Sequence, residues 1–378
     1  MRVGVIGYGS RIRSVLNEVK KQDPALELAA IVDIRKEKIV SEITDGRLDG
    51  TQWYDSPEQI MDEGRLDGIL IGTRCSLHTE MALKVLPRNI PLFLEKPVST
   101  TLHDLQRLKQ GGEAHSDRVV VSFPLRTSRM VRLVKEIIDS GKIGTVEHVQ
   151  AINNVTYGGV YYHNWYRDEN ETGGLFLQKA THDFDYLNYV LQQRPVSVCA
   201  MTSKQIFKGD KPAGLKCVDC EENRTCEEST AFAESEATRK AWTYCSFAVD
   251  TGNEDSGSAL VRYESGMHLS YSQNFFVRRK AGARGARFMG YKGTVEFDFY
   301  SNEIKVMMHH TPLVETHRFD TEKGHFGGDA ALAANFVQLM QGKETSVSTL
   351  NDGLISALLC LKARESAQTG TFQTIDWS

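Results

Sequence analysis

An apolar run, Val3-Gly4-Val5-Ile6, leads straight into Gly7-Tyr8-Gly9-Ser10, and Ile12, Val15, Leu16 and Val19 follow at helical spacing. Strand, tight glycine turn and helix in that order leave few architectures open. The pattern then repeats. Apolar runs at Leu28–Val32, Gly68–Gly72, Pro91–Leu94 and Val119–Val121 are separated by helix-like segments at Ser56–Met61, His78–Leu86 and around Leu102, Leu105 and Leu108. Strands that alternate with helices over about 120 residues predict a doubly wound parallel sheet of the Rossmann type, with helices on both faces.

After Phe123 the rhythm changes. Thr127 or Ser128 can cap a helix with Met130, Leu133, Val134, Ile137 and Ile138 on one stripe, and Gly141 is placed to end it. Long strand-like runs follow at Val146–Tyr157, Ser258–Tyr263, Met267–Phe276 and Thr294–Phe299, with Glu264-Ser265-Gly266 as a hairpin turn. The expected division is therefore 1–122, a dinucleotide-binding domain, and 123–378, an α/β domain with a large, mainly antiparallel open sheet. Late helices near Ala330–Met340 and Gly353–Ala367 are expected to pack back on the first domain. No internal repeat or low-complexity segment is visible.

The 378 residues suffice for two such cores without disulfide or metal staples. A net charge of −4, with no Lys/Arg run, excludes the electrostatic footprint of a nucleic-acid binder. No apolar stretch reaches the ~20 residues of a membrane span, and no signal-peptide core is present, so a cytoplasmic protein is expected. Seven cysteines, an odd number, fit a reducing compartment. Cys217, Cys220 and Cys226, with Cys245 as a fourth, have a spacing that suggests a structural zinc, weighed against reduced cysteines in an acidic insertion.

In a strand–turn–helix, Gly7 and Gly9 would let the backbone turn and approach a pyrophosphate resting on the helix N-terminus. Ile12 stands where a third glycine would allow close helix packing. Asp33 lies 24 residues beyond Gly9 at the end of the second strand, the place of a carboxylate that holds a ribose diol. It points to NAD, with NADP left open because Arg35 and Lys36 are close enough to attract a 2′-phosphate. The bland alternative is a glycine turn with a surface aspartate.

Two further segments carry chemistry. Glu95-Lys96-Pro97 follows the fourth apolar run, at the carboxyl edge where open α/β sheets bind ligands. Gly173-Gly174 leads into Gln178, Lys179, His182 and Asp185. At 100° per residue Ala180, Phe184, Leu187 and Leu191 share one helix face, and Gln178, His182, Asp185 and Tyr189 the opposite one. Taken singly, each is as compatible with a surface Glu-Lys pair or a solvated helix face.

Together these motifs resemble the glucose-fructose oxidoreductase/inositol dehydrogenase family, written Gfo/Idh/MocA. Gly7-Tyr8-Gly9, Asp33, Gly72-Thr73 with His78, Glu95-Lys96-Pro97, Arg126, Ser140–Gly144, the Gly-Gly/His/Asp segment, Gly290–Thr294 and His325–Asp329 carry the likeness along nearly the whole chain. The resemblance implies an NAD(P)-dependent dehydrogenase or reductase of a sugar, sugar derivative or cyclitol, forming a homodimer or homotetramer through its open sheet. It implies a cofactor-facing set of Gly7, Tyr8, Gly9, Ser10, Arg11, Asp33, Arg35, Thr73, His78, Glu95 and Lys96. Lys96, His182, Lys179 and Asp185 become the candidate catalytic residues. His182 would be the acid/base, oriented by Asp185, and Lys96 or Lys179 would stabilise a developing alkoxide. Arg126, Tyr161, Trp165, Gln178, His182 and His325 become candidates for contact with substrate. The chain departs from the common pattern at Gln178, where many members carry aspartate, and at Arg74, where many carry proline. Two other functions fit the same motifs: an NAD-dependent glycosidase or epimerase-like enzyme with no net redox change, and a non-catalytic dinucleotide or sugar sensor.

Overall fold

The computed structural model describes residues 1–377. The chain forms two compact units: Met1–Arg132 with Thr181–Tyr186 and Glu322–Leu358, and Leu133–Ala180 with Leu187–Thr321 and Leu359–Ser378. The cut expected at residue 122 follows chain order, whereas these units are discontinuous.

The first unit is built on β1 (Arg2–Ile6), α1 (Ser10–Gln22), β2 (Glu27–Val32), α2 (Lys36–Glu42), β3 (Gln52–Trp53), α3 (Pro57–Glu63), β4 (Gly68–Ile71), α4 (His78–Val85), β5 (Leu92–Leu94), α5 (Leu102–Gly112) and β6 (Val119–Val121). All six strands pair in parallel, in the order β3-β2-β1-β4-β5-β6. The two-residue β3 was not legible in the sequence, being too short for any period to show. Strand order reverses between β1 and β4, and the crevice beyond their carboxyl ends is the ligand position of such a sheet.

Why the Gly7 turn tolerates an incomplete glycine fingerprint is visible in the packing. Gly7 has φ +85°, and a Cβ there would lie 2.7 Å from the Thr73 nitrogen, so only glycine fits. Ile12 occupies the third position because the missing space is supplied from across the sheet: a Cβ on Gly72 would sit 2.7 Å from the Ile12 Cβ. The core joins Val3, Val5, Ile12, Val15, Leu16 and Ile31 to Leu332, Ala333, Phe336 and Val337 of a late helix, which belongs to this unit. Phe336 meets Phe93 edge to face at 5.6 Å between ring centres.

After β6 the chain runs through α6 (Arg129–Asp139), opened by the Ser128 hydroxyl accepting from Val131 N–H at 3.3 Å, and β7 (Val146–Asn154). Next come α7 (Thr181–Leu191), β8 (Pro195–Ser203), β9 (Ser256–Tyr263), β10 (His268–Asn274), β11 (Ala283–Gly290), β12 (Gly293–Asp298), β13 (Glu303–Met308) and β14 (Val314–Arg318). The chain ends with α8 (Gly328–Met340), α9 (Leu350–Thr369) and β15 (Gln373–Thr374). Nine strands form one sheet, β14-β13-β12-β11-β7-β10-β9-β8-β15, antiparallel except for the β7–β10 pair. The turn between β9 and β10 holds Gly266 at φ +91°. Among the described residues no helix is long and apolar enough to cross a membrane.

Candidate active site

The start of α1 is built to receive an anion. Gly9 is its N-cap without a side-chain cap bond, the first turn has no acidic residue, and a Cβ at Gly9 would meet only the Gly72 oxygen, at 3.8 Å. Asp33, just past β2, accepts the Tyr8 N–H at 2.8 Å and so ties the glycine turn to the next strand. Its carboxylate also accepts from the Arg35 backbone N–H at 2.8 Å and from Arg35 Nε and NH2 at 3.0 and 2.9 Å. Burial would raise the Asp33 carboxyl, but these bonds from Arg35 hold it below the ordinary aspartate value. The residues present thus fit a dinucleotide with a free ribose diol.

Glu95-Lys96-Pro97 leaves the carboxyl end of β5 through a cis Lys96–Pro97 bond and is fastened on both sides. Buried His78, at the start of α4, lies 2.7 Å through Nδ1 from the Pro97 carbonyl oxygen. Burial pulls its pKa below the usual imidazole range, so the ring is neutral and donates Nδ1–H to that carbonyl. Thr79 Oγ1 donates to the Val98 carbonyl at 3.1 Å. From the other side Arg11 Nε donates to Glu95 at 2.9 Å. Lys96 is therefore carried on a segment whose neighbours cannot drift.

Arg11, expected to face the cofactor, is the half-buried hub of an ion network with the buried carboxylates of Glu95 and Asp329. Besides Glu95 it donates to both Asp329 oxygens, at 3.1 and 2.8 Å, and to Ser122 Oγ at 3.0 Å. Burial alone would raise the Asp329 carboxyl, but hydrogen bonds from His325 and Arg11, and their charge, hold it far below the ordinary carboxylate range. His325 Nδ1 is 2.9 Å from Asp329. The His325 ring centre lies 5.8 Å from that of His182, whose ring also meets Phe123 edge-on at 6.0 Å. His182 and His325 thus come together within this unit.

Three expectations change. The Asp185 carboxylate, expected to orient the imidazole three residues before it, is gripped by Arg126, through Nε at 2.9 Å and through NH2. Complete burial pushes the Asp185 carboxyl up, to about 7, against the pull of that guanidinium. Arg126, expected at the substrate, is itself buried and also pairs with Asp352 at 3.0 Å. A buried guanidinium needs such partners, and the nearest carboxylates in space were 59 and over 200 residues away in the chain. The third change concerns the helix itself. Residues Phe176–Ala180 form a π-helical turn before α7 begins, so the 100° spacing that put Gln178 on one face with His182 does not run through the segment. Nor is the polar face solvated: Gln178, Lys179, His182, Asp183 and Asp185 are all buried.

Within the second unit, Glu254 accepts the Leu175 and Phe176 N–H groups at 3.1 and 3.0 Å, anchoring the start of the π turn. Lys179 Nζ donates to the Tyr157 hydroxyl and lies 4.6 Å from the centre of its ring. Tyr161, a candidate for contact with substrate, is a core residue packed on Tyr166 and Phe275. Trp165 stacks on Tyr166 at 3.9 Å. Among the described residues no three His, Cys, Asp or Glu side chains are grouped closely enough to hold a metal ion, although Cys217, Cys220, Cys226 and Cys245 lie near one another: burial first, and then the neighbouring thiols, raise the pKa of Cys226 and Cys245. Cys217 lies beside His163, 3.9 Å from Nδ1, and donates to the Tyr244 carbonyl at 3.5 Å. Burial opposes ionisation of this thiol, but the His163 contact brings its pKa down to about 7.

Residues 1–123 match the model of an oxidoreductase family with an NAD-binding Rossmann fold, and residues 131–296 match the GFO/IDH/MocA C-terminal domain. The chain is 28% identical over 319 residues to YteT of Bacillus subtilis (strain 168), provisionally named an oxidoreductase, covering 74% of this chain and 73% of that one. It is 27% identical over 208 residues to myo-inositol 2-dehydrogenase of Thermotoga maritima, covering 53% of this chain and 58% of that protein. In structure it resembles a levoglucosan dehydrogenase solved with NADH and levoglucosan, with a TM-score of 0.78 over 99% of each chain at 16% identity, a likeness of fold. With both of its domains matched in order, this chain belongs to the Gfo/Idh/MocA family of NAD-binding oxidoreductases.

Proposed function

We propose that this protein oxidises a secondary alcohol of a cyclitol, sugar or sugar derivative with NAD, or runs the reverse reduction. The observation that carries the reading is the pairing, in one compact unit, of a fastened Lys96 segment at the carboxyl end of β5 with a buried His182. Relatives named inositol 2-dehydrogenase and a structural neighbour holding levoglucosan support the substrate class.

NAD, when bound, would supply the hydride acceptor; Gly7–Arg11 would hold its pyrophosphate and Asp33 its adenosine ribose. The protein's own residues must manage the proton and the charge. His182 takes the hydroxyl proton as the alcohol becomes a carbonyl compound, the general-base task for which an imidazole nitrogen is suited. The Lys96 ammonium stabilises negative charge developing on that oxygen. In the second unit the Lys179 ammonium is held by the Tyr157 hydroxyl. Pairing of Asp33 with Arg35 favours NAD over NADP, because a 2′-phosphate would meet the Asp33 carboxylate.

The outer face of the nine-stranded sheet exposes Met201, Leu260 and Ile152, 75%, 52% and 37% accessible, among small residues. An open face with these apolar side chains set among serines suits a second copy of the chain, giving a homodimer or homotetramer in the cytoplasm. NADH absorbance across inositols, aldoses and anhydrosugars, with NAD and NADP in parallel, tests the activity. Turnover with NAD on at least one of them is expected. Glycoside cleavage without NADH accumulation would replace this reading with the non-redox one.

A further inference from the structure

Oxidation of one alcohol by NAD yields a carbonyl compound, NADH and one proton, and that proton must reach water before the next turnover. On the reading above it is left on His182, which is only 6% exposed. His325 stands beside it, with ring centres 5.8 Å apart and planes inclined by 31°, and its side chain is 36% exposed. We propose that His325 is the proton shuttle between His182 and solvent, and that Asp329 and Arg11 are its positioning residues.

The geometry gives each residue a task. Asp329 accepts from His325 Nδ1 at 2.9 Å, which fixes the tautomer with hydrogen on Nδ1 and makes Nε2 the basic nitrogen. Arg11 fixes Asp329 through both oxygens and ties it to Glu95, next to Lys96. Two groups that face His325 are Asp329 on α8 and His182 on α7, with Arg11 and Glu95 behind Asp329. In the relay the bond from hydrogen to a His182 nitrogen breaks, one forms to His325 Nε2, and the proton then leaves to water, returning both rings to neutrality. A carboxylate at Nδ1 stabilises the transient imidazolium.

The backbone supports a functional placement. Gly324, His325, Phe326 and Gly327 have φ of +65°, +49°, +57° and +82°, a run in the left-handed region that two non-glycine residues enter only with backbone strain. Such strain persists only where surrounding contacts over-determine it, here the anchoring of the His325 side chain on α8.

His325→Ala is expected to lower steady-state oxidation at low buffer concentration about tenfold or more, with saturable recovery on adding imidazole. His325→Gln, which can keep a hydrogen bond to Asp329 but cannot titrate, should fold normally and show the same loss. Asp329→Asn should reduce the rate several-fold and shift its pH profile. Independently of any substrate, NMR of the ¹⁵N-labelled protein should show solvent exchange of the His182 ring proton slowed about tenfold in His325→Gln. Unchanged His182 exchange, or a loss of activity that imidazole does not restore, overturns the shuttle. If no polyol reduces NAD with the unmodified protein, the dehydrogenase reading fails, while the exchange measurement still decides the proton path.

Discussion

In the parallel sheet every residue of Gly68–Ile71, Leu92–Leu94 and Val119–Val121 is buried, whereas β9 of the antiparallel sheet alternates, with Ala259, Val261 and Tyr263 buried and Ser258, Leu260 and Arg262 exposed. The first pattern belongs to a sheet covered on both faces, the second to one with a face left open. The difference assigns tasks. A sheet buried on both faces can present chemistry only at its strand ends, where Lys96 sits, while an open face is available for another subunit.

The largest effect expected from this contrast is on stability. Phe336→Ala empties a site in the doubly covered core and should cost about 3–5 kcal/mol, read from urea unfolding. Next, Lys96→Met and His182→Ala should each lower turnover about a hundredfold or more, about 2.7 kcal/mol of barrier, while NADH binding followed by fluorescence persists. Unchanged turnover in both would remove the strand-end assignment.

Asp329→Asn should remove roughly 1.5–3 kcal/mol, the usual worth of hydrogen bonds to a charged group. Because the folded-state carboxyl titrates below its unfolded value, this stabilisation is complete above about pH 4 and fades as the pH falls further. Unfolding midpoints of the two proteins should therefore converge in acid. The smallest effect on the subunit is expected from Leu260→Ser on the open face, within about 0.5 kcal/mol, yet the variant should sediment as a smaller species. A large loss of subunit stability with unchanged mass would mean that this face is covered within the chain itself.

Legibility in the sequence followed the range of the interactions. The strand–turn–helix at Gly7, the parallel alternation and the antiparallel runs are written in local period, and the structure contains each of them. Asp33 and the Lys96 segment were legible because their place at strand ends follows from chain order. By contrast, the Arg126–Asp185 grip and the Arg11–Glu95–Asp329 network join residues 59, 84 and 318 positions apart, and no local pattern signals such pairs. Burial also misled: polar residues at helical spacing suggested a solvated face, and tertiary packing enclosed them instead.

The sequence by itself determined two α/β units, a dinucleotide turn and the residue types for hydride-transfer chemistry, because backbone sterics and hydrophobic period act over a few residues. Only the tertiary structure decided that Ile12 could replace a glycine by packing on Gly72, that Asp185 serves Arg126, and that His325 stands against His182 in a strained turn. Those outcomes depend on close packing and on pairing buried charges, and both are settled by what lies across the core.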